Sequence, residues 1–200
     1  IGEIKKISEE ISDQYFNTRS LGSKLGAWAS MQSQPLKNRE TLLNKVEELK
    51  KKLSLEGLFE KTQKASLPEL PQHIAVITSL TTAALQDILT TIRRRTRNIT
   101  VTVSPALVQG DHAPGSIINA LDNVLAYNKE NDEMPIECIL LCRGGGSYED
   151  LSCFNDELLA RKIFECPIPI ISGVGHEIDW TIGDYVACLL YTSPSPRDDR

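Results

Sequence analysis

The amino-acid sequence predicts an α/β fold, a parallel-sheet domain of alternating strands and helices preceded by a partly helical N-terminal segment. Short apolar runs alternate with amphipathic patterns from residue 74 onward, and repeated strand–helix–strand units favour parallel strands with helices on both faces. The composition is globular, with 40% hydrophobic and 24% charged residues. We therefore expect an N-terminal segment over residues 1–67, an α/β domain over 68–187 and an atypical tail over 188–200.

The first element is a helix before the domain. Leucine and valine recur at helical spacing from Leu42 to Leu53, and lysines near the end suit the helix dipole. This pattern predicts a helix over about residues 41–54. Gly57 ends it, and the prolines of residues 66–72 mark the connector into the domain.

The elements of the domain follow from changes in hydrophobic period. Four apolar runs are typical of buried strands, and helical spacing follows each of them. Ser79 or Thr81 is expected to cap the first helix. The arginines at its end (Arg93, Arg94, Arg95) are expected to be solvated and to complement the dipole, a DNA-backbone contact being the alternative. The strands are predicted over 74–78, 99–103, 136–142 and 168–172, and the later helices around 117–125, 155–164 and 180–188.

The loops that follow the strands are expected to form the binding site. In an open parallel sheet, ligands bind beyond the carboxyl ends of the strands. Four loops should therefore converge on one crevice, namely 78–82, 104–110, 143–147 and 173–179.

A glycine loop, Arg143-Gly144-Gly145-Gly146-Ser147, directly follows the third predicted strand. Its backbone N–H groups, unobstructed by side chains, can form a concave anion site beside the guanidinium, which suits a phosphate. A flexible strand-to-helix turn is the alternative. Glu149 and Asp150 come next, and they can equally cap the following helix.

The loop after the last predicted strand holds Gly175, His176 and Asp179. If a helix begins near His176, His176 and Asp179 share a face, and a carboxylate beside an imidazole suits acid–base chemistry. In the alternative, Asp179 only interacts with the helix dipole. Asp87 is either a solvated carboxylate or, because its helix points its N-terminus into the same crevice, a further member of the site.

Charge and cysteine content exclude several classes of protein. The net charge is −5, so a bulk basic surface for nonspecific nucleic-acid binding is absent, and residues 74–187 are more acidic still, with 8 Lys and Arg against 15 Asp and Glu. The five cysteines include no CxxC pair, which favours reduced thiols in a cytoplasmic protein. No signal peptide or membrane span is expected. Because the chain begins at Ile1 and not at Met, we expect it to be a fragment or a processed product.

Several ordered motifs make the sequence resemble the catalytic domain of the exodeoxyribonuclease VII large-subunit family. They extend over about 120 residues, which makes the match specific. The motifs are Ile77-Thr78-Ser79, Ala83-Ala84, Asp87-Ile88-Leu89, Val108-Gln109-Gly110, Arg143 to Leu151, Phe154-Asn155-Asp156-Glu157, and Ser172 to Asp179 with Thr181-Ile182 and Asp184.

The resemblance implies a nuclease that degrades single-stranded DNA from either end to oligonucleotides, together with several copies of a small helical subunit. It also implies that Asp87, Arg143, His176 and Asp179 are the critical positions. The family does not strictly require a divalent metal, so no obligatory cofactor is expected and Mg²⁺ remains an alternative.

Some residues depart from the family pattern. Gly173 stands where alanine is usual, and Leu80 and Thr82 replace a proline and a glycine in the turn after the first strand. Residues 1–40 do not resemble the family's oligonucleotide-binding barrel. Residues 189–200 do not continue into the long helices that hold the small subunit, so that docking region is expected to be absent.

The mechanism expected from these residues is phosphodiester hydrolysis. His176 acts as general base or acid, Asp179 orients it, and Asp87 positions water or another catalytic group. Arg143 and the loop residues hold phosphoryl oxygens as charge builds. The residues assigned to phosphate or substrate binding are Ser79, Gly144, Gly145, Gly146, Ser147 and Gly175.

Three alternatives remain open at the level of sequence. Asp87, Glu177 and Asp179 can instead be oxygen ligands for Mg²⁺ in metal-assisted hydrolysis. The glycine loops can also belong to a nucleotide- or phosphate-binding domain without turnover. Finally, the chain can be a folded but inactive fragment.

Overall fold

The computed structural model describes residues 39–96, 98–144, 148–174 and 180–190. The chain divides into two compact units, residues 1–43 and residues 44–200. The predicted helix before the domain is observed as α1 (Arg39–Leu55), and a short 3-10 turn (Lys61–Gln63) follows it. The domain boundary near residue 67 stays a prediction.

The second unit alternates strands and helices, as predicted. Its strands are β1 (His73–Thr78), β2 (Thr100–Pro105), β3 (Cys138–Cys142), β4 (Ile170–Gly173) and β5 (Leu189–Leu190). Its helices are α2 (Ala83–Arg95), α3 (Ala113–Glu130), α4 (Tyr148–Leu151), α5 (Glu157–Glu165) and α6 (Ile182–Val186), with a 3-10 turn at Ser152–Asn155.

All five strands are parallel, in the order β2-β1-β3-β4-β5. The strand β1, which lies between β2 and β3, is buried along its whole length, as the apolar run over residues 74–77 requires in a sheet covered on both faces. The predicted α/β class is therefore confirmed. The sequence analysis missed β5, because two residues are too few to produce a hydrophobic period.

Helices of regular amphipathic sequence cover the sheet. In α3, the buried residues Ile117, Ala120, Leu121 and Val124 recur three and four residues apart, which is one face of a helix. Leu53 at the end of α1 and Leu58 just after it are buried in the same core. Among the helices of the described ranges, none is long and apolar enough to span a membrane.

Two helix caps differ from the predictions. Thr82, and not Ser79 or Thr81, is the N-cap residue of α2. Asp156, and not Glu149 or Asp150, caps α5, where its carboxylate accepts a hydrogen bond from the Leu159 N–H.

The last helix begins at Ile182, two residues later than predicted, and it is only five residues long. Thr181 and Asp184 form a capping box at its N-terminus, which fixes the start by local hydrogen bonds that apolar spacing does not reveal. The arginines at the end of α2 (Arg93, Arg94, Arg95) are exposed, as expected for a solvated helix end.

Gly173 at the end of β4 lies against the Cys142 side chain on β3. A Cβ atom added at Gly173 would lie 3.2 Å from the Cys142 Sγ. This contact is tighter than ordinary van der Waals packing, so glycine at position 173 suits cysteine at position 142.

We predict that Gly173→Ala lowers the free energy of unfolding by about 1 kcal/mol, because the sulfur must move. Adding Cys142→Ala should remove most of that cost, so the two substitutions should be non-additive in urea unfolding. Gly115→Ala in α3 is the control, since its added Cβ meets no atom within 4 Å and should stabilise the helix. Additive effects at positions 142 and 173 would contradict the packing argument.

Candidate active site

The strand order creates a crevice between β1 and β3. From β1 the chain crosses to β2 on one side, and it later returns to β3 on the other side, so the loops after β1 and β3 part in opposite directions. The two loops still touch. A Cβ atom added at Gly144 would lie 3.7 Å from the Ala84 Cβ and 3.9 Å from the Thr82 Cβ, so Gly144 lies beside the first turn of α2.

Arg143 is buried at this crevice. Its side chain is 3% exposed, its Nη2 lies 3.1 Å from the Asp150 Oδ2, and its backbone N–H donates to the Gly173 carbonyl at 3.3 Å. The Nε atom is buried and has no hydrogen-bond partner in the structure of the described residues. A buried donor left unpaired costs about 1–3 kcal/mol, and a bound acceptor would recover that cost.

Thr78 supplies a second unpaired polar atom, at the end of β1. Its side chain is fully buried, and its Oγ1 has no hydrogen-bond partner in the described ranges. Ile77 pairs with Leu141 in the ladder between β1 and β3, so Thr78 and Arg143 both follow that pair at the same edge of the sheet. Guanidinium and hydroxyl donors both suit the oxygen atoms of a phosphate.

The N-terminus of α2 adds backbone donors to the crevice. Thr82 does not cap the helix with its side chain, because its hydroxyl donates instead to the Ser79 carbonyl at 2.9 Å. The first N–H groups of a helix have no partner within the helix and favour anions. Ser79, whose hydroxyl lies 3.1 Å from the Thr81 hydroxyl, belongs to the same loop.

The structure brings only some of the predicted residues together. Gly144 and Arg143 lie at the crevice, and Ser79 lies in the loop that borders it. Asp87 is exposed in the second turn of α2, and the observed ion-pair partner of Arg143 is Asp150. The remaining predicted residues fall outside the described ranges: Gly145, Gly146, Ser147, Gly175, His176 and Asp179.

The predicted pairing of His176 with Asp179 on a helical face lies outside the described residues. The first described helix after this segment is α6, which begins at Ile182. Their roles therefore stay predictions. The described histidines lie elsewhere: His73 is buried at the amino end of β1 and bonded to Met134 and Thr102, and His112 is exposed before α3.

Sequence analysis did not assign a role to Asp184, whose buried carboxylate organises the end of β4. One oxygen accepts a hydrogen bond from the Ser172 hydroxyl at 2.5 Å, and the other accepts from the Thr181 N–H at 2.8 Å and hydroxyl at 2.7 Å. The adjacent Ile182 N–H donates to the Asn155 Oδ1 at 2.9 Å. The Thr-x-x-Asp spacing is a sequence signal for a capping box, so that role of Asp184 could have been predicted. No sequence pattern indicated the hydrogen bond between Ser172 and Asp184.

Cys153 lies near the buried guanidinium but is not poised as a nucleophile. Burial raises the pKa of its thiol to about 11, although the charge of Arg143 acts in the opposite direction. Since the thiolate is the reactive form, Cys153 is inert at neutral pH. All five cysteines are free thiols, as predicted.

The described residues do not define a metal site. Within these ranges, no group of three His, Cys, Asp or Glu side chains is arranged to hold a metal ion. Of the alternative Mg²⁺ ligands, only Asp87 is described, and a single exposed carboxylate does not make a magnesium site.

The fold and the crevice define a doubly wound α/β domain with a candidate anion site where the strand order reverses. The family model described as "Exonuclease VII, large subunit" matches residues 58–196. The chain belongs to this family.

Curated relatives agree with the match. The chain is 49% identical over 156 residues to the exodeoxyribonuclease 7 large subunit of Delftia acidovorans, covering 74% of this chain and 35% of that protein. It is 46% identical over 154 residues to the protein of the same name from Nitrosomonas eutropha (77% and 33%) and 48% identical over 152 residues to that from Campylobacter lari (76% and 38%). The chain thus spans about a third of the length of these relatives.

We predict that Asp184→Ala lowers the free energy of unfolding by about 3 kcal/mol or more, because three buried donors lose their acceptor. Asp184→Asn should cost less, since one oxygen remains. Asp122→Ala is the control: its exposed carboxylate pairs with Lys162, which is worth at most about 1 kcal/mol. Equal losses for Asp184→Ala and Asp122→Ala in urea unfolding would contradict this account.

Proposed function

We propose that this chain carries the catalytic domain of a nuclease that hydrolyses phosphodiester bonds of single-stranded DNA. The observation that supports the proposal most directly is the buried guanidinium of Arg143, with its unpaired Nε, at the β1/β3 crevice. The name that these relatives share, exodeoxyribonuclease 7 large subunit, supports DNA as the substrate and an exonuclease as the activity.

Arg143 provides the electrostatic stabilisation in the mechanism. Asp150 holds the planar guanidinium from one side, which leaves Nε to donate toward a phosphoryl oxygen. Negative charge on these oxygens grows in the transition state, and fixed donors in a water-poor site stabilise it without reorganisation. The amides of Gly144, Gly145, Gly146 and Ser147, with Ser79 and Gly175, complete the phosphate and substrate contacts in this proposal.

His176 supplies the proton transfer. A water oxygen attacks phosphorus and loses a proton to the imidazole, the bond from phosphorus to the leaving oxygen breaks, and that oxygen receives a proton. Asp179 orients the imidazole and supports its protonated form, and Asp87 positions the water. No step in this scheme passes through a metal ion.

The finer properties of the activity are part of the same proposal. The nuclease degrades the strand from either end to oligonucleotides, in the cytoplasm and in a complex with the family's small subunit. Residues 74–187 are acidic, with 8 basic side chains against 15 acidic ones. DNA capture therefore depends on Arg143, backbone amides and regions beyond this domain.

Arg143→Lys should reduce the release of fragments from labelled single-stranded DNA by about a hundredfold or more. Lysine keeps the charge but lacks the planar fork that contacts Asp150 and a phosphate together. The matched control is Arg161→Lys, because Arg161 is likewise an arginine held by carboxylates, those of Glu56 and Glu157. The control should retain its rate, and each variant should be run with and without chelator. A wild-type rate for Arg143→Lys would overturn the role of Arg143.

His176→Ala should abolish cleavage and leave the affinity for single-stranded DNA nearly unchanged, because proton transfer is lost and charge contacts are kept. His112→Ala, which removes an exposed imidazole elsewhere, should behave like the parent chain. Gel analysis of products and a separate binding titration give the two readouts. Unchanged turnover in His176→Ala would end the assignment, and protection of DNA by the parent chain would favour a binding domain without turnover.

A further inference from the structure

Trp180 is a large aromatic residue at the surface, directly before the start of α6. It is 45% exposed, and its ring centroid lies 5.2 Å from that of Tyr185 in a tilted arrangement. Tyr185 is itself held by Phe59, whose ring centroid is 5.4 Å away. The indole is therefore supported by a packed aromatic cluster while nearly half of its surface remains in solvent.

The position of Trp180 is fixed relative to the Arg143 site. The next residue, Thr181, is joined to the end of β4 through the Asp184 carboxylate and the Ser172 hydroxyl. Gly173 follows Ser172, and its carbonyl accepts the Arg143 backbone N–H. A short series of hydrogen bonds thus connects the Trp180 backbone to the edge of the sheet that carries the buried guanidinium.

A positive charge lies on the same aromatic cluster. The Lys50 Nζ is 4.2 Å from the centroid of the Tyr185 ring and 3.0 Å from its hydroxyl. The Tyr185 hydroxyl raises the pKa of Lys50, so the amine stays charged. The cluster combines a flat ring with a cation, and a nucleotide presents the matching pair of a flat base and an anionic phosphate.

Packing alone does not require this exposure. Tyr185 and Phe59 already join α6 to the segment after α1, and an indole of this size is normally more deeply buried when it serves only a core. Other exposed apolar side chains, such as Leu55 and Leu158, are aliphatic and lack a stacking face.

We propose that Trp180 is a stacking platform for a base of single-stranded DNA bound at the candidate active site. The inference rests on the proposed function. Any base can stack on the indole, because every base has a π face. This contact therefore adds binding affinity without sequence preference. Lys50 provides charge for a neighbouring phosphate. In this arrangement the indole aligns the strand while Arg143 holds the phosphate to be cleaved.

The test compares two oligonucleotides of equal charge in the full chain carrying His176→Ala, so that the strand persists. One is a thymidine strand of about twelve nucleotides, and the other is an abasic strand of the same length. Trp180→Ala should weaken binding of the thymidine strand by about tenfold or more and leave binding of the abasic strand unchanged. The salt dependence of binding should keep its slope, because the indole neutralises no phosphate.

Two further variants separate stacking from folding. Trp180→Phe should restore most of the affinity, whereas Trp180→Leu, which is apolar but has no flat face, should be as weak as Trp180→Ala. Leu158→Ala removes an exposed apolar side chain on α5 and should have no effect. Equal loss on both oligonucleotides, no loss on either, full affinity in Trp180→Leu, or no binding by the parent chain would each overturn the inference.

Failure of the inference and failure of the proposed function have different signatures. A chain that cleaves DNA but binds each oligonucleotide as tightly after Trp180→Ala as before it supports the proposed nuclease and overturns the stacking inference. In the other case, Trp180→Ala weakens binding of the thymidine strand alone, but the chain with His176 intact does not cleave DNA. This result supports the stacking inference and overturns the proposed nuclease.

Discussion

The reversal of strand order between β1 and β3 is the constraint on which the candidate site depends. Because all five strands are parallel, all of their carboxyl ends lie at one edge of the sheet. The reversal opens a crevice at that edge between two adjacent strands. Gly144 lets the loop after β3 approach the start of α2, and Arg143 is buried beside it. Sheet topology thus determines where the guanidinium and the fully buried Thr78 hydroxyl can meet a ligand.

The fold was largely predictable because its signals are local. Unbroken apolar runs and helical spacing identified four strands and the helices between them. The features that were missed depend on contacts between distant residues or on very short elements. The two residues of β5 are too few to show a hydrophobic period. The hydrogen bond from Ser172 to Asp184 joins a strand to a helix, and only the fold brings these two elements together.

The site was predictable in outline and not in its pairings. Arg143 and Gly144 directly follow an apolar run, and this strand-end position was enough to identify them. Sequence spacing did not reveal that Asp150 would pair with Arg143 and not cap a helix. The exposure of Trp180 likewise depends on how Tyr185 packs against Phe59, which no spacing rule contains.

The most direct test of this account is a crystal structure of the chain bound to a short phosphorothioate single strand that resists hydrolysis. We expect a backbone phosphorus within about 4–5 Å of the Arg143 guanidinium, with an oxygen accepting from Nε at about 2.8 Å. The Asp150 contact should remain in place. A strand bound elsewhere, with the Nε atom of Arg143 still unpaired, would contradict the central claim that the β1/β3 crevice is the phosphodiester site.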